Sequence, residues 1–185
     1  MTMHYRLDPA HGRFSVHAFA TGILSILAHS PTFAVRDFQG RVCLGDGAPG
    51  QMTLDIVVKP GSLILMDQVP PADRRDIEGR MRGEVLEISA YPEIRYEAKD
   101  VSSSSTGPGR FRLRINGRLS LHGVTRPHPI DAEMRLFGDG LQLVAGFSLW
   151  MSDFHIKPVT ALRGAIKLND ELKVSSELVG LPEGS

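Results

Sequence analysis

Strict alternation of apolar and polar residues restricts this chain more than any other feature. In FRLRINGRLSL (111–121) the odd positions are Phe111, Leu113, Ile115, Gly117, Leu119 and Leu121. The even positions are Arg112, Arg114, Asn116, Arg118 and Ser120. Successive side chains of a β-strand point to opposite faces, so the segment reads as a strand with one dry and one wet face. At ~3.3 Å per residue it spans about 36 Å, longer than most strands.

The same period recurs along the chain. Met52, Leu54, Ile56 and Val58 share a face, as do Ile94, Tyr96 and Ala98, and as do Ile130, Ala132, Met134 and Leu136. Leu141, Leu143, Ala145, Phe147, Leu149 and Met151 form another such set, and Phe14, Val16 and Ala18 a shorter one. Near the C-terminus Ile166 and Leu168, then Leu172 and Val174, repeat the pattern around an expected turn at Asn169-Asp170. Between Phe33 and Leu44 the parity flips, which predicts a bulge near Asp37. Turns are expected at 45–50, 102–109, 123–127 and 138–140, the last a tight hairpin at Gly138-Asp139-Gly140. The Ser102–Gly109 run reads as a solvated loop.

One helix is predicted over about residues 72–88, where Ile77, Met81, Val85 and Ile88 fall on one stripe, Pro70-Pro71 ends the preceding segment and Asp73 can cap the start. Eight or so amphipathic strands and one main helix give a mainly β, antiparallel protein. A closed barrel joins the dry faces and removes sheet edges; a two-sheet sandwich satisfies the same pattern. With 185 residues, one domain over 1–185 is expected.

Composition narrows the function. Lys+Arg and Asp+Glu are both 21, so no polyanionic partner and no nucleic acid is implied. Cys43 is the single cysteine, which rules out an intrachain disulfide or a Cys-based zinc site. Phe14 to Val35 lacks Asp, Glu, Lys and Arg, but its solidly apolar part, GILSILA at 22–28, is shorter than the ~20 residues of a membrane span. At most a transient membrane contact is expected. The N-terminus shows no basic patch leading into an apolar run, so a cytoplasmic location is expected for the chain as it stands, and a periplasmic one if a leader has been removed.

Catalytic patterns are sparse. The seven histidines include no HExxH or HxH, GxSxG is missing, and GDGAPGQ (45–51) lacks the Lys-Ser/Thr ending of a phosphate loop. Asp8, His11 and Ser15 carry triad letters within one strand entry, whereas triads gather from distant segments. No catalytic residue, metal ligand or cofactor is expected. The competing reading is a small enzyme or redox-stress protein using a metal or a cluster of histidines. In LHGVTRPH (121–128) parity puts His122 and His128 on opposite faces, a poor arrangement for co-ligands.

Several segments together resemble the YceI-like family. LDPAHGRFSV is similar to its opening strand, although His11-Gly12 stands where the family has His-Ser. YPEIRYEAKDV (91–101) resembles its YPxIxFxSxxV strand, GRLSLHGVTRPHPIDAEM (117–134) its GxLTLxGVT(K/R)P signature, and SDFHIKP (152–158) the segment before its last strands. The resemblance implies an extended, eight-stranded, lipocalin-like antiparallel barrel with a helix packed on it. It further implies binding or transport of a long apolar lipid, such as a polyisoprenoid or isoprenoid quinone, with homodimers and periplasmic members common.

On that fold, the dry parities make a lumen of Phe14, Val16, Val35, Leu54, Ile56, Tyr96, Phe111, Leu113, Ile115, Leu119, Phe147 and Leu149. Gly117, Ala98, Ala132 and Ala145 would leave room along the bore. Periodicity alone favours side chains that meet in a filled core, since most apolar faces only pack; the resemblance favours the lumen. His128 and Arg126 near one barrel end are the candidates for a lipid head group. Ile23, Leu24, Ile26 and Leu27 would form an apolar lid, a core-covering loop or a dimer contact.

Overall fold

The computed structural model describes residues 2–21, 30–157, 159–161 and 166–183. The apolar segment around Ile23–Leu27 lies outside them. In chain order the elements are β1 (Met3–Leu7), β2 (Arg13–Thr21), β3 (Thr32–Ala34), β4 (Phe38–Leu44), β5 (Met52–Val58) and β6 (Ile64–Leu65). Then follow α1 (Pro71–Arg80) with a π-helical turn (Met81–Val85), β7 (Ile94–Gly107), β8 (Arg110–Leu121), β9 (Val124–Phe137), β10 (Gly140–Trp150), β11 (Thr160–Ala161) and β12 (Ile166–Pro182).

Strands β1, β4, β5, β7, β8, β9, β10 and β12 pair antiparallel in that order. β12 then returns to β1 through Tyr5↔Pro182, Arg6↔Leu181 and Leu7↔Gly180, which closes an eight-stranded barrel. β12 serves a second partner as well: Lys167 to Glu177 pair with β2, which continues into β3 and β6. The barrel wall therefore forks along β12, and β2–β3–β6 form a short flap that branches from the closed ring and turns Phe33 and Leu65 onto the core.

The helix is tied to that flap by charge. The Arg74 guanidinium donates to the carbonyls of Leu65 and Asp67, Glu78 accepts from the Leu65 N–H, and Arg82 donates to the Leu63 carbonyl and to Glu78. Met81 is buried, and Ile77, Val85 and Leu86 pack against the core. The helical stretch is thus 71–85, inside the expected 72–88 at its C-terminal end. Its N-cap is Pro70 with Pro71 in the first turn, and Asp73 makes no capping hydrogen bond. Proline suits that place because the first N–H groups of a helix have no partner anyway.

Alternation reads through most strands. Along β8, Leu113, Ile115, Gly117, Leu119 and Leu121 are buried while Arg112, Arg114, Asn116 and Arg118 are exposed. Two expected turns and the expected bulge differ. Ser102 to Gly107 are strand, with Ser102 to Ser105 paired to Arg114 to Phe111 and Gly107 to Arg110 past a bulge at Thr106, and only Pro108-Gly109 turn; a serine-rich run satisfies its backbone in a ladder as well as in water. Asn169-Asp170 is no turn: β12 runs through, and its pairing with β2 slips between Leu168 and Leu172, a bulge in the ladder. The flip near Asp37 is a strand break, where the N–H groups of Arg36 and Asp37 both donate to Ser62 Oγ.

The turn expected over 123–127 contracts to two residues. His122 and Gly123 both have positive φ, 51° and 76°, as a two-residue primed hairpin loop requires. His122 is held there by Glu87 Oε2 at 2.7 Å from its Nε2 and by the Tyr91 ring at 4.4 Å.

Gly117 does not leave room in the bore. Tyr96 lies over it, and a β-carbon at 117 would sit 2.3 Å from Tyr96 Cζ. The Tyr96 hydroxyl donates to the His128 carbonyl at 2.9 Å and lies 3.2 Å from that of Ile115, bridging β7 to β8 and β9. Burial pushes the phenol up to about 12, against the opposing pull of the Gly117 N–H and the Arg114 charge. Gly117→Ala should therefore displace the ring and cost about 1–3 kcal/mol in urea unfolding, the usual range for overpacking. Tyr96→Phe should cost about 1 kcal/mol through the lost bridge. Wild-type stability in Gly117→Ala would show that the ring does not depend on that gap.

Candidate functional site

Among the described residues, the barrel interior holds an apolar cavity of about 80 Å³. That volume is small beside the ~300–1,000 Å³ of pockets that enclose drug-sized ligands. Seven of the residues expected in the lumen line it: Phe14, Leu54, Ile56, Tyr96, Ile115, Leu119 and Phe147. His128 lines it too. Both the open-bore and the filled-core expectations are thus partly realised.

The other five are placed elsewhere. Leu113 and Leu149 are 1 % and 8 % exposed and belong to packed layers to either side of the cavity. Val35 is buried at the strand break before β4, and Val16 sits half-buried on the flap, paired with Phe33 and Val174. Phe111, half-buried against the core, lines a separate polar concavity with Arg110, Arg112 and Arg135. Parity selects a face, but not the height along the bore, so Leu113 and Leu149 fall beside the cavity, while Val16 and Val35 lie off the eight ring strands.

Several lining residues were not singled out as site residues: Val58, Ile94, Ile130, Ala132, Leu143, Ala145, Ser176 and Leu178. The first six already belong to the dry parities. Ser176 and Leu178 were hidden because the β12 bulge was read as a turn, which cut the alternation short at Val174.

The wall beside the cavity is incomplete. β9 and β10 pair from Phe137↔Gly140 to Ala132↔Ala145 and no further. Beyond that point β9 carries Pro127 and Pro129, which have no N–H to give to a ladder. His128 and Phe147 face each other across the gap, edge to face, with ring centroids 5.2 Å apart. Both are half-buried, as are Phe14 and Ile94 nearby.

His128 is the polar feature of the site. Its Nε2 is buried without a hydrogen-bond partner, one of two such side-chain nitrogens among the described residues; the other is Arg82 Nε. Burial holds the imidazole below its ordinary pKa, opposed by the charge of Asp153. The ring is therefore neutral at neutral pH, able to donate from one nitrogen and accept at the other. Arg126 does not join it. Its guanidinium is half-exposed and lies 3.0 Å from both the carbonyl and Oδ1 of Asp153.

The remaining described histidines are scattered. His4 Nδ1 lies 3.2 Å from Cys43 Sγ, His11 pairs with Asp8, His17 meets Thr32 Oγ1 and His122 meets Glu87. Among the described residues no three His, Cys, Asp or Glu side chains come together as a metal would need.

Comparisons with known proteins point one way. No curated relative matches the chain. The fold matches BcnA of Burkholderia cenocepacia with a TM-score of 0.71 at 14 % identity, covering 94 % of this chain and 98 % of that one. It matches a polyisoprenoid binding domain from Saccharophagus degradans, implicated in plant cell wall breakdown, with a TM-score of 0.71 at 12 % identity, covering 98 % and 99 %. The YceI protein of Campylobacter jejuni matches with 0.62 at 15 % identity, covering 83 % and 85 %. The YceI-like domain model matches residues 5–179, and this chain belongs to that family.

Proposed function

We propose that the protein binds an apolar, isoprenoid-type lipid inside its barrel and sequesters or carries it without catalysis. The observation that supports this reading best is the cavity itself: an apolar wall broken by one buried, unpartnered imidazole nitrogen. An apolar tail gains about 0.8 kcal/mol per buried CH₂ and asks for few polar contacts. A single hydrogen bond to His128 Nε2 would fix the polar end. A neutral ring favours a neutral head, since a buried anion without a counter-charge is costly. The solved Saccharophagus degradans domain, described as polyisoprenoid-binding, lends the class of ligand.

The cavity is smaller than a long tail, so binding must spread the half-buried rings of Phe14 and Phe147 rather than fill a vacant bore. Organic extraction of protein purified from cells, followed by mass spectrometry, should yield an isoprenoid-type lipid in near-stoichiometric amount; a clean extract would overturn the reading. Ala145→Leu, which fills the cavity from its wall, should cut the recovered lipid about tenfold while thermal unfolding stays cooperative.

His128 gives a second, pH-based test. Its folded pKa lies below the unfolded ~6.5, so the unfolded chain takes up the proton more readily. Its contribution to stability is therefore fully present above pH ~6.5 and is lost as pH falls through the folded value. Between pH 7 and 5 the wild-type Tm should drop more than that of His128→Leu. Parallel curves would show that the imidazole is not held neutral by burial.

A further inference from the structure

The gap between β9 and β10 has bounds at both ends. At one end the ladder stops at Ala132↔Ala145. At the other, Arg126 of β9 reaches the residues just after β10 and pairs with Asp153 at 3.0 Å. Between these bounds lie Pro127 and Pro129, which cannot donate to a ladder, and the facing rings of His128 and Phe147. Both rings line the cavity, as do Ala132 and Ala145 at the base of the gap. The interior thus approaches the outside through the barrel's side wall. By contrast, the layer toward the β9–β10 turn is packed tight, with Leu44, Met52, Leu113, Met134 and Leu141 each at most 1 % exposed.

We propose that lipid enters and leaves this barrel sideways, through a slot between β9 and β10 that is shuttered by His128 and Phe147 and clasped by the Arg126–Asp153 ion pair. This rests on the lipid-binding reading above and adds the route. Opening the slot breaks no backbone ladder, because none is formed there. It parts one edge-to-face ring contact and one half-exposed ion pair, and such pairs contribute little to stability. A tail can slide in while the closed ring of the barrel stays whole. The hydroxyl of an isoprenoid alcohol would come to rest in the slot at His128 Nε2, where it can donate or accept according to the ring's tautomer. Arg126 is then a positioning residue on the slot's rim, not a contact for the head group.

Exchange kinetics test the route. Protein loaded with farnesol is mixed with excess deuterated farnesol, and the retained isotope is followed by mass spectrometry after rapid gel filtration. Arg126→Gln and Asp153→Asn should each speed exchange about threefold, matching the modest strength of an exposed pair. Raising the salt should speed exchange in wild type and not in Arg126→Gln. In a Cys43→Ser background, Arg126→Cys with Asp153→Cys joined by a short bismaleimide should slow exchange at least about tenfold relative to the unjoined protein. Equal rates with and without the crosslink, or no response to either single variant, would overturn the route while leaving lipid binding intact. Failure of wild type to retain any farnesol would overturn the lipid reading and the route with it.

Discussion

Closure of the barrel rests on one short seam. Tyr5, Arg6 and Leu7 meet Pro182, Leu181 and Gly180, flanked by hydrogen bonds from the Asp8 N–H to the Val179 carbonyl and from the Glu183 N–H to the His4 carbonyl. Without that seam β1 would be an open edge beside β4 and the ring an open sheet. Tyr5 and Leu7 are each 2 % exposed, so the seam is buried on its inner face and its bonds are shielded from water. The same β12 that completes the ring also carries β2 along most of its length. One strand thus divides its hydrogen bonds between barrel and flap, and the helix reaches the core by way of the flap.

That division shapes the site. A ring closed everywhere by full-length ladders would have a uniform wall. Here β9 is fully paired with β8 along 124–135 but with β10 only from Ala132 onward. The prolines at 127 and 129 oppose Arg118 and Asn116 on one side and have no strand on the other. Wall and gap are therefore written into the same segment, and the residues that border the gap are those that border the cavity. Tyr96, bridging three strands beside Gly117, keeps the paired half of the wall rigid next to the unpaired half.

Much of this was legible in the sequence, for a physical reason. A period of two survives wherever one sheet face is dry, so strand identity and the inward parity of β5, β8, β9 and β10 could be read directly. The same logic placed His122 and His128 apart, and they lie apart: one is pinned by Glu87 and Tyr91, the other faces the cavity. What parity does not encode is depth. Leu113 and Ile115 are two residues apart on one face, yet one is packed solid and the other lines the cavity. Gly117 was read as space because a sequence does not show that Tyr96 on the neighbouring strand leans into it. Pro127 and Pro129 lie inside β9, and the loss of pairing they mark is on the β10 side and emerges only with the register. Polar runs misled in the opposite sense: Ser102–Thr106 and Asn169-Asp170 are strand, because a ladder satisfies their backbone whatever their side chains prefer.

The order in which the chain is made adds a consequence to the β7–β10 meander. Residues 94–150 pair strand by strand through short turns, so each hairpin can form as soon as its second strand has left the ribosome. β1 has no such neighbour in time. It finds β4 early, but its other edge waits for residues 180–182. Throughout synthesis the nascent sheet carries one open edge beside a dry face, the arrangement most prone to pairing with another copy. The exposed Arg6 on β1, with Arg41 opposite it on β4, puts positive charge along that edge while it waits, and like charges on two such edges repel.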